Sequence, residues 1–366
     1  MAFQKILLIT CWWLLTFYDP AIPFEPGDPP VFPMPTDHRE HVPAGARSGE
    51  KSIPSSSIKT ITIFLPLIQG TGEQLAVDTQ DRQASLDFYL EQYVSSEDTA
   101  INWTGSHHSC SAGTTDQGFR QAVLRRINYF RAMAGVPASV NFSLESNQMA
   151  QAAALIMSAN QKLSHSPTTS WICYSCEGKD GAGSSNLYLG VNGWKAITGY
   201  MKDPGAGNYA AGHRRWILYP QTQMMGTGDV PSTAGYPAAN ALRVFDTHLW
   251  EARPATREEF VAWPPPGYVP YQVVFPRWSF SYAKADFSAA SVTITSKGEN
   301  LPVEQAPIQN GYGENTLVWI PLGLSDGASW PRPGEDTIYS VTIQNVLINN
   351  TSRNFNYKVV VFDPTQ

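Results

Sequence analysis

Apolar and polar positions repeat with two different periods in the two halves of this chain. Between Asp116 and Ala134 the apolar residues Phe119, Ala122, Val123, Leu124, Ile127 and Phe130 weight one side of a helix, and Gly135 followed by Pro137 stops it. A second helix is predicted from about Leu144 to Leu163, with Ser143 as its N-cap. Its middle is built from Ala150, Ala152, Ala153, Ala154 and Ala159, small enough for a neighbouring element to approach closely beside Leu155 and Ile156. Leu86, Tyr89, Leu90 and Tyr93 are spaced for a short helix over Arg82–Ser95, and Ala196–Met201 reads as a third, short helix. Ile58–Leu67 reads as a strand, and Trp216–Val230 as a strand leaving through a tight turn at Gly226 and Gly228. From Asn240 onward the helical spacing is gone. Short runs at Val292–Ile294, Leu317–Trp319, Ile338–Ile343 and Tyr357–Val361, separated by Gly, Pro and Asn turns, predict a small antiparallel β-sandwich.

The first residues follow neither period. Lys5 precedes the apolar run Ile6–Phe17, a shape that predicts a secretory signal and is too short for an ordinary membrane span. No A-x-A pattern follows it, so an uncleaved interfacial anchor is the alternative. Asp19–Ser57 is rich in Pro, Gly and Ser and reads as an extended linker. The expected organisation is a signal or anchor segment at 1–18, a linker at 19–57 and an extension at 58–115 packed on a helical domain at 116–250. The β-sandwich domain follows at 251–366.

Composition narrows the class. Charged residues are 15% and aromatics 12% of 366 residues, which suits an exported, loop-rich, β-containing protein. The net charge is −6 and no long basic run occurs, which excludes a general nucleic-acid binder. No calcium loop or phosphate-binding glycine motif is visible, and no membrane span is expected beyond the N-terminal segment.

Several short motifs occur in a telling order. Asn128-Tyr129-Phe130-Arg131 with Gly135 comes first, then the Ala-rich helix, then Leu163-Ser164-His165-Ser166. Ser185-Asn186-Leu187, the run Gly212–Leu218 that contains His213, and Met225-Gly226-Thr227-Gly228 follow. Over about Phe119 to Asp229 the chain resembles the CAP superfamily, also called SCP-like, in its bacterial secreted form. The resemblance implies an α+β chain: an α-β-α sandwich in which two histidines face each other across a shallow cleft, followed here by the β-sandwich. His165 and His213 stand at the positions of those histidines. The family's cleft also carries two glutamates. The first lies in a Gly-Glu-Asn motif, where this chain has Ser184-Ser185-Asn186; for the second, Asp203 is the nearest acidic residue, displaced by an inserted Pro204–Ala211. Gly313-Glu314-Asn315 falls after the second histidine, in the β region, and is a decoy.

The expected cleft is therefore His165, His213, Ser185, Asn186 and Asp203. Zinc needs three or four protein ligands, and only the two imidazoles carry over, so the expectation is no cofactor, or weak zinc on His165 and His213 with affinity gained by Ser185→Glu. The bland reading has both rings hydrogen-bonding within the cleft floor, and His107-His108 beside Cys110 reads as a polar loop rather than a ligand set. Of the four cysteines, Cys110 is expected to pair with Cys173 or Cys176, tying the loop before the first long helix to the loop after His165.

Three functions compete. The leading one is a secreted or extracytoplasmic binding protein without turnover, the resemblance implying sterol, other lipid or cell-surface ligands. The second is a hydrolase or peptidase, with His165 or His213 as general base and Ser164, Ser166 or Ser185 as nucleophile. The third is a carbohydrate or cell-wall adhesin using the aromatics of Phe260–Tyr268 and Arg277–Phe280 as a sugar platform; the same rings could instead pack an interdomain seam, the favoured reading.

Overall fold

The structure, a computed structural model, describes residues 74–366; the apolar segment, the linker and the strand expected over Ile58–Leu67 lie outside the described residues. Helix α1 (Arg82–Phe88) starts where the Asp81 carboxylate accepts the Ala84 N–H at 2.9 Å. The helix then widens into a π turn over Tyr89–Tyr93 and closes in a 3-10 turn at Val94–Ser96. The wide turn aims Tyr89 and Tyr93 at Tyr129, with centroids 6.3 and 5.1 Å away, so this extension packs on the first long helix.

That helix, α2 (Gln117–Met133), is capped by Asp116 and ends against Gly135, whose φ of +74° stops the winding. Helix α3 (Leu144–Asn160) begins on Ser143, whose hydroxyl accepts the Ser146 N–H at 3.0 Å. It stops short of the expected Leu163 because Gln161 turns left-handed at φ +52°. A helix with no sequence-level expectation, α4 (Cys176–Gly183), lies beside it; a Cβ on Gly181 would sit 2.2 Å from the Met149 carbonyl oxygen. Helices α5 (Gly193–Lys202) and α6 (Gly212–Ile217) complete the set.

Between these helices lies a four-stranded sheet: β1 (Asn141–Phe142), β2 (Ser185–Leu189), β3 (Met224–Val230) and β4 (Ala239–Arg243), in the order β1-β3-β4-β2. Leu187, Ala239 and Ala241 join the α3 core on one face, while Met225 and Leu242 join the α2, α5 and α6 core on the other. The result is the expected three-layer α-β-α arrangement. The expectation for Trp216–Val230 needs correction: Trp216 and Ile217 belong to α6, and Gly226 and Gly228 lie inside β3 rather than in a turn. These glycines let α3 lie on the strand, since a Cβ on Gly228 would come 2.1 Å from the Ala150 carbonyl carbon.

The C-terminal part is a pair of packed sheets. One contains β5 (Val261–Trp263), β7 (Trp278–Ser281), β10 (Val303–Gln305) and β11 (Thr316–Pro321), ordered β10-β11-β7-β5. The other contains β6 (Gly267–Pro270), β8 (Ser291–Ser296), β9 (Glu299–Leu301), β12 (Thr337–Ile348) and β13 (Thr351–Phe362), ordered β6-β13-β12-β8-β9. All pairs are antiparallel except β6 with β13, which is parallel, a local departure from the antiparallel expectation. Asn349 and Asn350, both left-handed, form the two-residue turn between β12 and β13.

The aromatics expected to form either a sugar platform or a seam are strand residues whose rings point inward. Phe260, Trp263, Trp278 and Phe280 are all buried, which removes the platform. Trp263 does meet Phe130 of α2 at 5.1 Å, so it packs the seam, whereas Phe280 lies against Phe355 within the sandwich. Cys110 pairs with Cys173 as one of the two expected alternatives; Cys176, at the start of α4, is also disulfide-bonded and is not the partner of Cys110. Beside that disulfide, His107 stacks on Tyr236 at 4.0 Å and its Nε2 meets the Ser158 hydroxyl at 2.8 Å. That hydroxyl donates to the Pro237 carbonyl, so the ring nitrogen donates to it and the pair is structural.

Candidate functional site

Two left-handed residues set the geometry of the site. Asp203 closes α5 at φ +53°, and Ala211 opens α6 at φ +52°. The nine-residue excursion between Asp203 and His213 therefore returns on itself. The fully buried Asp203 carboxylate accepts the His213 Nδ1–H at 2.7 Å through one oxygen and the His213 backbone N–H at 3.0 Å through the other. This second bond satisfies an N–H that the first turn of a helix leaves unpaired. The first fixes the proton on Nδ1 and presents Nε2 as the imidazole's acceptor.

Behind the imidazole stands a buried polar network. The Tyr200 ring stacks on His213 at 5.3 Å, and its hydroxyl donates toward Asn240 Oδ1 at 2.8 Å beside the Asn186 carbonyl. Asn186 Nδ2 donates to the His213 carbonyl at 3.1 Å, tying β2 to α6. Asn240 Nδ2 in turn donates to Asp229 at 2.8 Å, and Asp229 also accepts from Gly193 N–H and the Thr227 hydroxyl. Burial pushes the Asp229 carboxyl above the ordinary carboxylate range despite those donors. Burial likewise raises the Tyr200 phenol, so this ring stays neutral.

In front of the imidazole is a cavity of about 180 Å³ at the edge strand β2. Leu163, Leu187, Leu189, Tyr188 and Tyr200 give it an apolar wall, and His213, Asp203 and Asn208 give it a polar end. An apolar wall with a few convergent polar groups is the ordinary form of a small-molecule site.

The expected cleft residues divide between the cavity wall and its surroundings. His213 and Asp203 line this cavity; His165, Ser185 and Asn186 do not. His165 is half-buried, with Nδ1 2.9 Å from the Ala182 carbonyl oxygen. Ser185 is wholly buried and donates to the Gly181 carbonyl at 2.6 Å, on the face of β2 toward α4, while its neighbour Asn186 points the other way toward α6. No group of three or more His, Cys, Asp or Glu side chains able to hold a metal occurs among the described residues. The Asp203 carboxylate behind Nδ1 is the kind of partner that orients a metal-ligating imidazole, but with no third ligand grouped beside it among the described residues, His213 belongs at most to a partial zinc set. The residues that sequence reasoning missed are Tyr188, Tyr200 and the leucines of β2, which carry no signature beyond strand spacing.

The Gly313-Glu314-Asn315 run also has a place. Its Glu314 pairs with Arg253 and its Glu314 carbonyl accepts from Arg215 of α6 at 2.8 Å, on the sandwich side and away from the cavity. No helix among the described residues is long and apolar enough to cross a membrane.

Comparison with known proteins bears on the helical half. Residues 124–242, which hold Asp203, His213 and all of β2, match the model of the CAP family, described as the cysteine-rich secretory protein family. No curated protein matches the chain. Among solved structures, the methionine-rich copper resistance protein PcoC from Escherichia coli matches at 14% identity and a TM-score of 0.21, over 27% of this chain and 92% of that one. Its selenomethionine form matches at the same identity and TM-score, over 30% of this chain and 99% of that one. A TM-score so low carries no argument about fold or ligand.

Proposed function

We propose, from the premise that residues 124–242 form a CAP-family domain, that this protein acts outside the cytoplasm by binding a small apolar molecule with a hydroxyl head, without turning it over. One observation carries the reading: a single polar end, His213 Nε2 held ready by Asp203, closes a cavity otherwise walled by leucine and tyrosine. The ligand's hydroxyl donates to Nε2 and its apolar body lies along Leu163, Leu187 and Leu189. A cavity of 180 Å³ is somewhat larger than the roughly 150 Å³ that holds benzene. It takes a short apolar segment, such as the hydroxylated end of a sterol or a fatty alcohol. The Cys110–Cys173 disulfide and the apolar run Ile6–Phe17 support export.

The hydrolase reading, with His165 or His213 as base and Ser164, Ser166 or Ser185 as nucleophile, has less support: the Ser185 hydroxyl donates to the Gly181 carbonyl, and none of the three serines lines the cavity that His213 lines. The adhesin reading loses its platform to burial of the aromatics.

Isothermal titration of the full chain with 1-decanol, cholesterol in cyclodextrin and a cellulose oligosaccharide tests the proposal. Decanol or cholesterol should bind at one site, about tenfold more weakly in His213→Ala, the worth of one hydrogen bond, and not at all in Leu163→Trp. Oligosaccharide binding that is indifferent to both variants, with no binding of either alcohol, would overturn it.

A further inference from the structure

The segment that carries the site's acid is held largely from outside the CAP domain. Arg277, which precedes β7 of the sandwich, is 3% exposed and turns its guanidinium toward residues 203–208. Nη1 donates to the carbonyls of Asp203 and Asn208, the latter at 2.8 Å, and Nη2 donates to the Gly205 carbonyl at 3.2 Å. Nη2 also pairs with Asp326 at 3.1 Å, and the same Asp326 oxygen accepts the Gly205 N–H at 2.7 Å. One residue earlier, Lys202 Nζ reaches the Gly327 carbonyl at 2.6 Å. Arg214, next to His213, completes the frame: its Nε donates to the Met201 carbonyl at 2.7 Å and its Nη1 to the Ser279 hydroxyl of β7 at 3.0 Å.

The chemistry of this frame is that of a helix end. Asp203 closes α5 in the left-handed region, which leaves the last carbonyls of the helix without backbone donors. Arg214 supplies donors to the Met201 and Lys202 carbonyls and Arg277 to the C-cap carbonyl of Asp203, and both set positive charge at the negative end of the helix dipole. Both also lie beside the Asp203 carboxylate that accepts from His213. The same segment supplies the Pro204 and Asn208 rim of the cavity. A nine-residue excursion fixed only at its two ends would leave the Asp203–His213 geometry loose, and a site held about 1 Å too loosely fails.

We infer that Arg277 is a positioning residue for the Asp203–His213 pair, so that the β-sandwich is a structural half of the CAP-domain site rather than an appended module. This inference rests on the reading of the cavity as the ligand site, and its test separates the two. In the ligand-free full chain, nitrogen-15 histidine spectra report which ring nitrogen of His213 carries the proton, a property that a remote structural change does not alter. Wild type should show the Nδ1–H form. Arg277→Ala, with folding checked by its melting transition, should show a mixture of the two forms, and Arg277→Lys should restore the wild-type pattern in part. Asp326→Asn, at a partly exposed carboxylate, should give a smaller change in the same direction, and with Arg277→Lys it decides the question if Arg277→Ala does not fold. Decanol affinity should fall by about tenfold in Arg277→Ala, the equivalent of one oriented hydrogen bond. Folded variants that keep the wild-type tautomer overturn the inference even if decanol binds. A changed tautomer in a protein whose wild type binds no alcohol upholds the positioning role and overturns the ligand reading.

Discussion

At His213, one hydrogen bond decides which ring nitrogen meets a ligand, and alternation along β2 decides which neighbours can help it. Ser185 donates to the Gly181 carbonyl of α4 and Asn186 to the His213 carbonyl of α6, so a carboxylate at 185 would start on the face of β2 away from α6. Zinc titrated into Ser185→Glu should bind no more tightly than into wild type, and neither should show a saturable one-to-one isotherm; a stoichiometric gain in Ser185→Glu alone would contradict the placement. Asp229 gives a second residue-scale prediction. Its folded pKa is raised by burial, so the stability it contributes is full below the ordinary carboxylate range and is lost as pH rises through its elevated folded value. An Asn at this position cannot titrate; its Oδ1 can keep the donors of Gly193 and Asn240, but its amide meets the Thr227 hydroxyl that donates to Asp229, at a cost of about 1–3 kcal/mol. The melting deficit of Asp229→Asn relative to wild type should therefore be largest near pH 4 and narrow toward pH 7. A deficit that widens with pH would contradict the sign.

At the scale of elements, the long amphipathic helices were legible because each carries its own stop signals: Asp116 and Gly135 bound α2, and Ser143 opens α3. Helices α4 and α6 were not. Eight residues with three glycines carry little helical signal in α4, and the six residues of α6 read as a strand because Trp216, Ile217 and Leu218 form an apolar run too short to show a period. The same shortness hid the site, since the partnership of Asp203 with His213 depends on how the excursion between two left-handed residues returns. Glycines in β3 were visible, but their role was not: they mark a close approach of α3 rather than a turn. Gly228→Ala should destabilise the domain by about 2–3 kcal/mol in urea unfolding, because backbone atoms of α3 cannot yield to the added methyl; a neutral substitution would mean that the helix does not lie on the strand. The disulfide links the loop before α2 to the loop after α3 across a separation of 63 residues. Replacing both Cys110 and Cys173 by Ser should cost about 4 kcal/mol on the chain-entropy estimate, read from the same unfolding curves. A loss near zero would show that the loops are held by other contacts.

Over the whole molecule, a sequence division at residue 251 does not correspond to a division of the core. Phe130 of α2, Trp263 of β5 and Phe275 pack together, and buried residues of both halves belong to one continuous cluster. Periodicity reports the class of each half but not the seam, because an inward ring and an outward ring look alike in a short aromatic strand. The same continuity lets Arg277 of the sandwich reach Asp203 of the helical half. The account therefore predicts one cooperative unfolding transition for residues 74–366, with domain and sandwich melting together. Its central claim is nonetheless local: the cavity at β2 receives a hydroxylated apolar molecule whose head meets His213. The direct measurement is titration of the full chain with 1-decanol while following the nitrogen-15 resonance of His213 Nε2. The account predicts a saturable shift of that resonance with one-site stoichiometry, abolished in Leu163→Trp; decanol binding to saturation with the Nε2 resonance unmoved would contradict it.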